Sequence, residues 1–201
     1  MKKIIVLSAF IVCASLAAVA QIDGLGLRTN LLGWALASPG LGADISWNGR
    51  YLLAVDGNYG DWDIEPGYKG IRHSSYGMEL RRYFSAGQPT PVNPHGGAYR
   101  GLFMGIDARY HLYNITIGTP HKEGEAITAS LLAGYTFRLN KAWAIDAAIG
   151  AGYVHYDYNQ FVYYPPVDMN RLTGTRKGNT LAITHLKVAL VYRFTLNTPK
   201  P

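Results

Sequence analysis

The chain has 201 residues, of which 12% are aromatic and only 16% are charged, and its net charge is +6. This length is expected to form one domain. The excess of positive charge is modest and contains no run of Lys or Arg, which argues against a nucleic-acid partner. The only cysteine, Cys13, cannot form a disulfide within the chain or supply a Cys-based metal site. We therefore expect no cofactor.

The N-terminus predicts a signal peptide over residues 1–20 and a mature domain over residues 21–201. Two lysines precede an apolar run from Ile4 to Leu16, and Ala-Val-Ala precedes Gln21 as a cleavage signal. A retained anchor helix would need about 20 apolar residues, so cleavage is the stronger interpretation. Cleavage leaves 19 − 2 = 17 basic residues against 13 acidic ones, a charge of +4.

Eight segments of the mature chain alternate apolar and polar residues with a period of two, which is the period of a β-strand and not of a helix. No segment after Gln21 is apolar for long enough to span a membrane as a helix. An even number of antiparallel strands is typical of bacterial outer-membrane barrels. We therefore predict an all-β fold, an eight-stranded antiparallel up-and-down transmembrane β-barrel. The segments are 25–31, 41–48, 51–59, 75–84, 102–112, 127–139, 143–153 and 185–194.

The connections alternate in length, as the two sides of such a barrel require. Asn48-Gly49 and Asn140-Lys141 predict tight hairpin turns on the periplasmic side. The links at 60–72, 113–126 and 156–181 are longer and polar, so we predict them as outer loops. Two connections depart from this pattern. The first outer loop, at 37–40, is short, and the periplasmic connection at 85–98 is long and rich in Pro and Gly.

The polar residues of the strands distinguish a membrane barrel from a soluble β-sandwich or a lipocalin-like cup. A water-facing surface would carry many Lys and Glu residues, whereas these charges are sparse and nearly balanced in sign. The lumen of an eight-stranded barrel is just wide enough for side chains to fill it, so we expect the charges to form ion pairs there and plug it. The predicted lumen ion-pair network comprises Arg28, Asp44, Asp56, Glu79, Arg81, Asp107, Arg109, Arg138, Asp146, Lys187 and Arg193.

The apolar residues of the same strands predict the face that contacts lipid. This set contains one charge, Arg82, near a strand end where its side chain can reach the membrane surface. Aromatic residues on this face concentrate at the strand ends, as in the girdles of outer-membrane barrels.

Several polar motifs were considered as sites. His73 and Ser75 are similar to the His-x-Ser pair of lipid A deacylases, but their parity predicts side chains that point into the lumen and away from lipid. Residues 61–65 have a D-x-D-x-E pattern that could bind a cation, although it lacks the glycine and distant glutamate of a calcium loop. A solvated acidic loop is the simpler interpretation.

The remaining candidates concern metals and outer-loop contacts. His111, His155 and His185 lie on separate strands without the spacing of a metal site, so we predict no metal ligands. The last outer loop places aromatic residues beside cations, which suggests contact with a protein, a glycan or lipopolysaccharide. Anchoring of the tyrosines in the lipid headgroups is the alternative. The candidate contact residues are Tyr163, Tyr164, Arg171, Arg176 and Lys177.

The segment GLGLRTNLLGWALASPGLGADISW resembles the first hairpin of the DUF3575-type family, small Bacteroidetes outer-membrane proteins with barrels like those of OmpX and OmpA. Arg28 stands where that family usually has Lys, and Asp44 where Glu is common. MELRRYF, YRGLFMGIDARYHLYN, AGYTFRLNKAWAIDAAIGAGYVHYDY and LKVALVYRF also resemble it. The resemblance covers most of the mature chain and implies a barrel without an agreed activity. It also implies a fimbria-associated partner as one candidate.

We therefore expect a monomeric protein of the bacterial outer membrane with a structural or interaction role, acting through its outer loops in adhesion or envelope integrity. Its partners would be outer-membrane lipid, lipopolysaccharide, the barrel-assembly machinery during export, and a surface protein or glycan. We predict no enzyme activity. A lipid A-modifying enzyme and a narrow solute pore are the alternatives.

Overall fold

In the computed structural model the chain forms a closed ring of eight strands, each antiparallel to its neighbours in chain order. The structure describes residues 22–65, 69–84, 99–117, 120–164 and 169–195. The strands are β1 (Ile22–Asn30), β2 (Gly40–Trp47), β3 (Tyr51–Glu65), β4 (Lys69–Tyr83), β5 (Gly101–Ile117), β6 (Pro120–Arg138), β7 (Trp143–Tyr164) and β8 (Met169–Thr195). This arrangement confirms the predicted all-β, eight-stranded, up-and-down antiparallel barrel.

One short helix, α1 (Leu31–Ala35), follows β1 and was not predicted. Its Trp34 Nε1 donates a hydrogen bond to Thr29 Oγ1 at 2.7 Å, which ties the helix to the end of β1. Among the described residues, no helix is both long and apolar enough to cross a membrane. The predicted signal peptide and the 85–98 connection lie outside the described residues.

The predicted outer loops were wrong in extent, because most of their residues belong to strands. β3 pairs with β4 as far as Glu65 and Lys69, and β7 pairs with β8 as far as Tyr164 and Met169. In the described parts of 60–72, 113–126 and 156–181, polar residues occur at positions of both parities along the strands. The dyad pattern therefore fades while the backbone pairing continues.

The strands of the ring are staggered, as closure of a barrel requires. A path along paired residues begins at Leu190 of β8, passes round the ring and returns to β8 at Asn179, a shift of 190 − 179 = 11 residues that includes one irregularity. Such a stagger corresponds to a strand tilt of about 35–45°. The intermediate partners are Thr29, Leu41, Gly57, Tyr76, Tyr110, Ile127 and His155.

The two faces of the barrel wall have the opposite polarity to those of a water-soluble protein. Large apolar side chains lie on the exposed outer face, including those of Leu41, Ile106 and Leu131. Charged side chains lie buried in the lumen, including those of Glu79 and Arg81. Because side chains of a strand alternate between faces, the period of two in the sequence produces this separation directly.

A small apolar cluster packs beside the buried charges. Tyr83 packs against Phe103, with ring centroids 5.3 Å apart, and the Tyr83 hydroxyl lies 3.1 Å from Thr136 Oγ1. Gly134 provides room for this cluster, because a Cβ atom there would collide with the Phe103 ring and the backbone of Ala148.

We therefore predict that Gly134→Val lowers the free energy of unfolding by about 1–3 kcal/mol, the typical cost of overpacking an interior. Ala133→Val is the matched control, because Ala133 precedes Gly134 on β6 and faces outward. Urea unfolding of the protein in detergent micelles, followed by tryptophan fluorescence, would measure both variants. Equal effects of the two substitutions would contradict the assignment of the Gly134 position to the packed interior.

Candidate functional site: a charge cluster in the lumen

The most distinctive polar feature of the structure is a group of ten charged side chains inside the barrel. Seven of the eight strands contribute to it, each from an inward-facing position. We call this group the lumen charge cluster. Its members are Arg28, Asp44, Asp56, Glu79, Arg81, Asp107, Arg109, Asp146, Lys187 and Arg193.

Arg81 lies at the centre of one half of the cluster. Its Nε donates to Glu79 Oε2 at 2.8 Å and its Nη1 to Asp146 Oδ2 at 2.7 Å. The guanidinium also lies over the Phe103 ring, 4.4 Å from the centroid. Thr136 donates a hydrogen bond to the other oxygen of Asp146 at 2.8 Å. Arg81 therefore joins β4, β5 and β7, and Thr136 adds β6 through Asp146.

Arg28 extends this half of the cluster to the first hairpin. Its Nη2 donates to Asp44 Oδ2 at 2.8 Å, and its other terminal nitrogen, Nη1, lies 3.6 Å from Glu79 Oε2. Arg193 also lies near the carboxylate of Asp44, with its Nη1 3.7 Å from Asp44 Oδ1. Arg28 and Asp44 therefore connect β1 and β2 to the centre of the cluster.

Glu79 also joins the second half of the cluster. Lys187 Nζ donates to Glu79 Oε1 at 2.6 Å and forms a further ion pair with Asp56. Arg109 Nη2 donates to Asp56 Oδ1 at 2.8 Å and lies 3.4 Å from Asp107 Oδ2. The single carboxylate of Glu79 therefore contacts cations from β1, β4, β5 and β8.

The cluster contains five acidic and five basic side chains, so it is neutral when all of them are ionised. Buried charges are costly unless they are paired, and this balance gives each charge an opposite charge nearby. Arg193 is paired with Asp44 only by proximity, since its buried guanidinium nitrogens have no hydrogen-bond partner among the described residues. The paired carboxylates accept hydrogen bonds from fixed cations, which makes them poor general bases. The arrangement is suited to filling the lumen and holding the strands together.

The structure adds one residue that the sequence analysis treated as isolated. His185 is buried at the cluster, with Nε2 3.6 Å from Glu79 Oε1 and Nδ1 3.7 Å from Asp107 Oδ1. Its position two residues before Lys187 on β8 could have indicated a shared inward face.

Glu79, Asp107 and His185 each offer a ligand atom within 4.8 Å of the others. Two observations argue against a metal ion there. Glu79 Oε1 already accepts a hydrogen bond from Lys187, and the surrounding cluster is neutral, so a divalent cation would add two uncompensated buried charges. These residues do not fit a metal site.

Arg138, which the sequence predicts in the lumen network, lies outside the lumen charge cluster. This residue is exposed, and its guanidinium donates to the backbone carbonyl oxygens of Asn140 and Lys141 at 2.9 and 3.3 Å. It has the parity of a lumen residue but lies at the last position of β6. At a strand end the hairpin carbonyls and solvent are nearer to the side chain than the cluster is.

A cavity of about 160 Å³ lies above the cluster, towards the end of the barrel that carries the long hairpins. Its lining includes Arg109, Lys187, His73 and His111. The His73-Ser75 pair considered from the sequence does not form here. His73 Nε2 lies 2.9 Å from Ser38 Oγ, while Ser75 donates to Asn58 Oδ1 at 2.7 Å.

The other sequence candidates are dispersed. Asp61 forms an exposed ion pair with Arg72 at 2.9 Å, and the side chains of Asp63 and Glu65 lie outside the described ones. His155 Nδ1 lies 2.6 Å from Asn179 Oδ1 on the neighbouring strand. His111 is partly buried, and its Nε2 lies 3.5 Å from Thr128 Oγ1.

The candidate contact residues lie on the hairpin of β7 and β8. Tyr163 and Tyr164 pair through their backbones with residues 170 and 169, and Arg171 pairs with residue 162. The side chains of these three candidates lie outside the described ones.

Two candidate contact residues have described side chains. Arg176 and Lys177 are both exposed. Lys177 Nζ lies 2.6 Å from Asp157 Oδ2, and this hydrogen bond raises the pKa of Lys177.

We predict that Arg81→Met and Asp146→Asn each lower the free energy of unfolding by about 3–5 kcal/mol, because each leaves a buried partner uncompensated. The double variant should lose less than the sum of the two. Lys177→Met, which breaks an exposed ion pair, is the control and should unfold close to wild type. Urea unfolding in micelles measures the wild type and the four variants. Additive losses from the two buried substitutions would contradict direct pairing.

Comparison with known proteins gives a family but no activity. No curated protein and no solved structure matches the chain significantly. A family described as "Protein of unknown function (DUF3575)" matches residues 5–194. Because this match covers most of its length, the chain belongs to the DUF3575 family.

Proposed function

We propose that this protein is an outer-membrane β-barrel of a Gram-negative bacterium, with a sealed lumen and a structural or interaction role outside the cell. The observation that carries the proposal is the inverted polarity of the wall: apolar side chains cover the outside while a neutral charge cluster fills the inside. A protein folded in water would lose stability both by exposing apolar side chains and by burying charged ones. In lipid, an apolar outer face and a paired charge cluster inside are both favourable.

The distribution of aromatic side chains supports an embedded belt. Trp143 and Phe194 lie on the outer face near the short turns, and Tyr59 and Tyr153 lie on the outer face towards the long hairpins. Outer-membrane barrels have an apolar band about 25 Å tall between two such girdles. In this proposal residues 1–20 are removed on export and the barrel-assembly machinery inserts the mature chain.

The strand lengths support a function outside the membrane. A tilted membrane strand needs about 9–11 residues, whereas β7 has 22 and β8 has 27. From Tyr153 to Tyr164, the remaining 164 − 153 = 11 residue steps of β7 would extend roughly 35 Å along the strand. We infer that these hairpins contact lipopolysaccharide and a surface partner, such as a fimbria-associated protein or a glycan.

The charge cluster supports a sealed barrel over a pore. Its paired side chains project from seven strands into a lumen that, in an eight-stranded barrel, is just wide enough for side chains to fill. The geometry of His73 and Ser75 gives no reason to propose a lipid A-modifying activity, because the two side chains are not hydrogen-bonded to each other. His73 contacts Ser38, and Ser75 donates to Asn58.

Membrane embedding can be tested with two arginine substitutions at equally exposed apolar positions. Ile106 is 55% exposed within the predicted belt, and Leu172 is 54% exposed on the outer hairpin. We predict that Ile106→Arg costs about 2–4 kcal/mol of stability in lipid, while Leu172→Arg costs little. Unfolding in lipid vesicles and the yield in the outer-membrane fraction measure the difference. Equal behaviour of both variants, or recovery of wild type in the periplasm, would overturn embedding.

The sealed lumen makes a separate prediction about ion flow. Wild-type protein in planar lipid bilayers should give no sustained conductance steps, because the charge cluster blocks the lumen. The boiled, unfolded protein is the background control. Stable steps in the nanosiemens range that require folded protein would favour the narrow pore instead.

A further inference from the structure

β8 extends far beyond the strand that closes the barrel against it. β1 pairs with β8 only at residues 189–195 of β8. β7 pairs with β8 over a much longer stretch, from Tyr192 to Met169. Among the described residues, the part of β8 above Ala189 therefore has no strand on its second side. β3 also continues past the end of its pairing with β2, at Asn58. The wall is open between β3 and β8 above the short first hairpin.

This part of β8 presents a row of backbone groups that can accept another strand. In an antiparallel ladder, alternate residues direct their N–H and C=O groups to opposite sides. Among the residues that the structure describes, those that face away from β7 have no strand partner, and such an edge is a template for strand addition. The pairing of β8 with β7 is irregular at Thr173 and Thr184. Between these points lies a regular run of ten residues, 174–183.

The charges of this edge indicate which kind of strand it can accept. We define the free edge of β8 as residues 172–183, which contain Arg176 and Lys177 and no acidic residue. Lys177 pairs with Asp157 on β7. Arg176 is exposed and has no acidic partner among the described side chains. An added strand that brings a carboxylate beside Arg176 would gain an ion pair across the strands.

A second copy of this chain is a poorer occupant. Two barrels in one membrane have β8 running in the same direction, so a symmetric pair would join their free edges in parallel. Arg176 of one copy would then lie beside Arg176 of the other. Like charges on directly neighbouring strands are destabilising. The partner is therefore expected to be a different protein.

We propose that the free edge of β8 binds an extended, acidic peptide segment of a partner protein by β-strand addition. This inference rests on the proposed interaction role of the outer hairpins and gives it a partner chemistry. Main-chain hydrogen bonds to residues 174–183 would supply the affinity, and the charge of Arg176 would select an acidic sequence.

The experiment uses the folded barrel in detergent micelles and short fluorescent peptides of alternating threonine and valine. One peptide has a central glutamate, a second has lysine there, and a third is the glutamate peptide with alternate backbone nitrogens methylated. Fluorescence anisotropy should show binding of the glutamate peptide, weaker binding of the lysine peptide, and no binding of the methylated peptide, because methylation removes the donors that strand addition needs.

The variant Arg176→Glu should weaken binding of the glutamate peptide by about tenfold and strengthen binding of the lysine peptide. Lys141→Glu makes the same charge change at an exposed turn at the opposite end of the barrel, and it should alter neither affinity. The heat-dependent gel mobility of each variant verifies that it is folded. Because the methylated peptide tests strand addition on the wild-type barrel, that arm does not depend on the variants.

Three results would overturn the inference: no binding of the glutamate peptide at millimolar concentration, equal binding of the methylated peptide, or equal effects of Arg176→Glu and Lys141→Glu. A concentration-dependent dimer that excludes the peptide would also overturn it, in favour of a second copy. The assay does not depend on where the protein lies in the cell, so its failure is distinguishable from a failure of membrane embedding.

Discussion

The contacts of Arg81 with Glu79 and Asp146 constrain the whole barrel, because a charge buried in a narrow lumen is tolerated only when its partners are in place. Glu79 lies on the same strand as Arg81, whereas Asp146 lies on β7, 65 residues away in the chain. Slipping one strand by a single residue would turn its charge to the outer face and leave the opposing charges unpaired. The cluster therefore fixes the register of the strands that contribute to it, in addition to filling the space between them.

The same constraint determines which chemistry the barrel can support. The ten charges occupy the lumen with ion pairs, and a cavity of about 160 Å³ lies next to them. The outer face of the barrel wall is apolar and offers little polar recognition. Exposed charged side chains, including those of Arg176 and Lys177, lie in the strand extensions. This distribution is why our functional proposals concern the hairpins and not the interior.

The sequence predicted the strands and most inward positions because alternation reports which face of a strand a residue occupies. Alternation does not report height along the barrel axis, as Arg138 shows. Like Arg81, Arg138 occupies an inward-facing position of the alternation, but it lies beside a turn and its guanidinium donates to a backbone carbonyl. His185 shows the converse, since its partners Glu79 and Asp107 are more than 70 residues away in the chain. Alternation also fades in the hairpins, where polar residues occur on both faces. The lengths of β7 and β8 were therefore missed.

The open wall above β1 is compatible with the proposed change of solvent along the strands. Within lipid, an unpaired strand edge would leave backbone groups without hydrogen bonds, so a strand there must be paired or covered on both sides. β1 ends at Asn30, whose partner Ala189 lies opposite Asp146 and well below the level of Tyr153, and the chain continues into α1, which contacts β8. In the proposed orientation, the part of β8 that lies above the belt begins at about Leu181, the partner of Tyr153, and runs towards Met169. Water can satisfy the backbone groups of that part, and a partner outside the proposed membrane can reach its free edge.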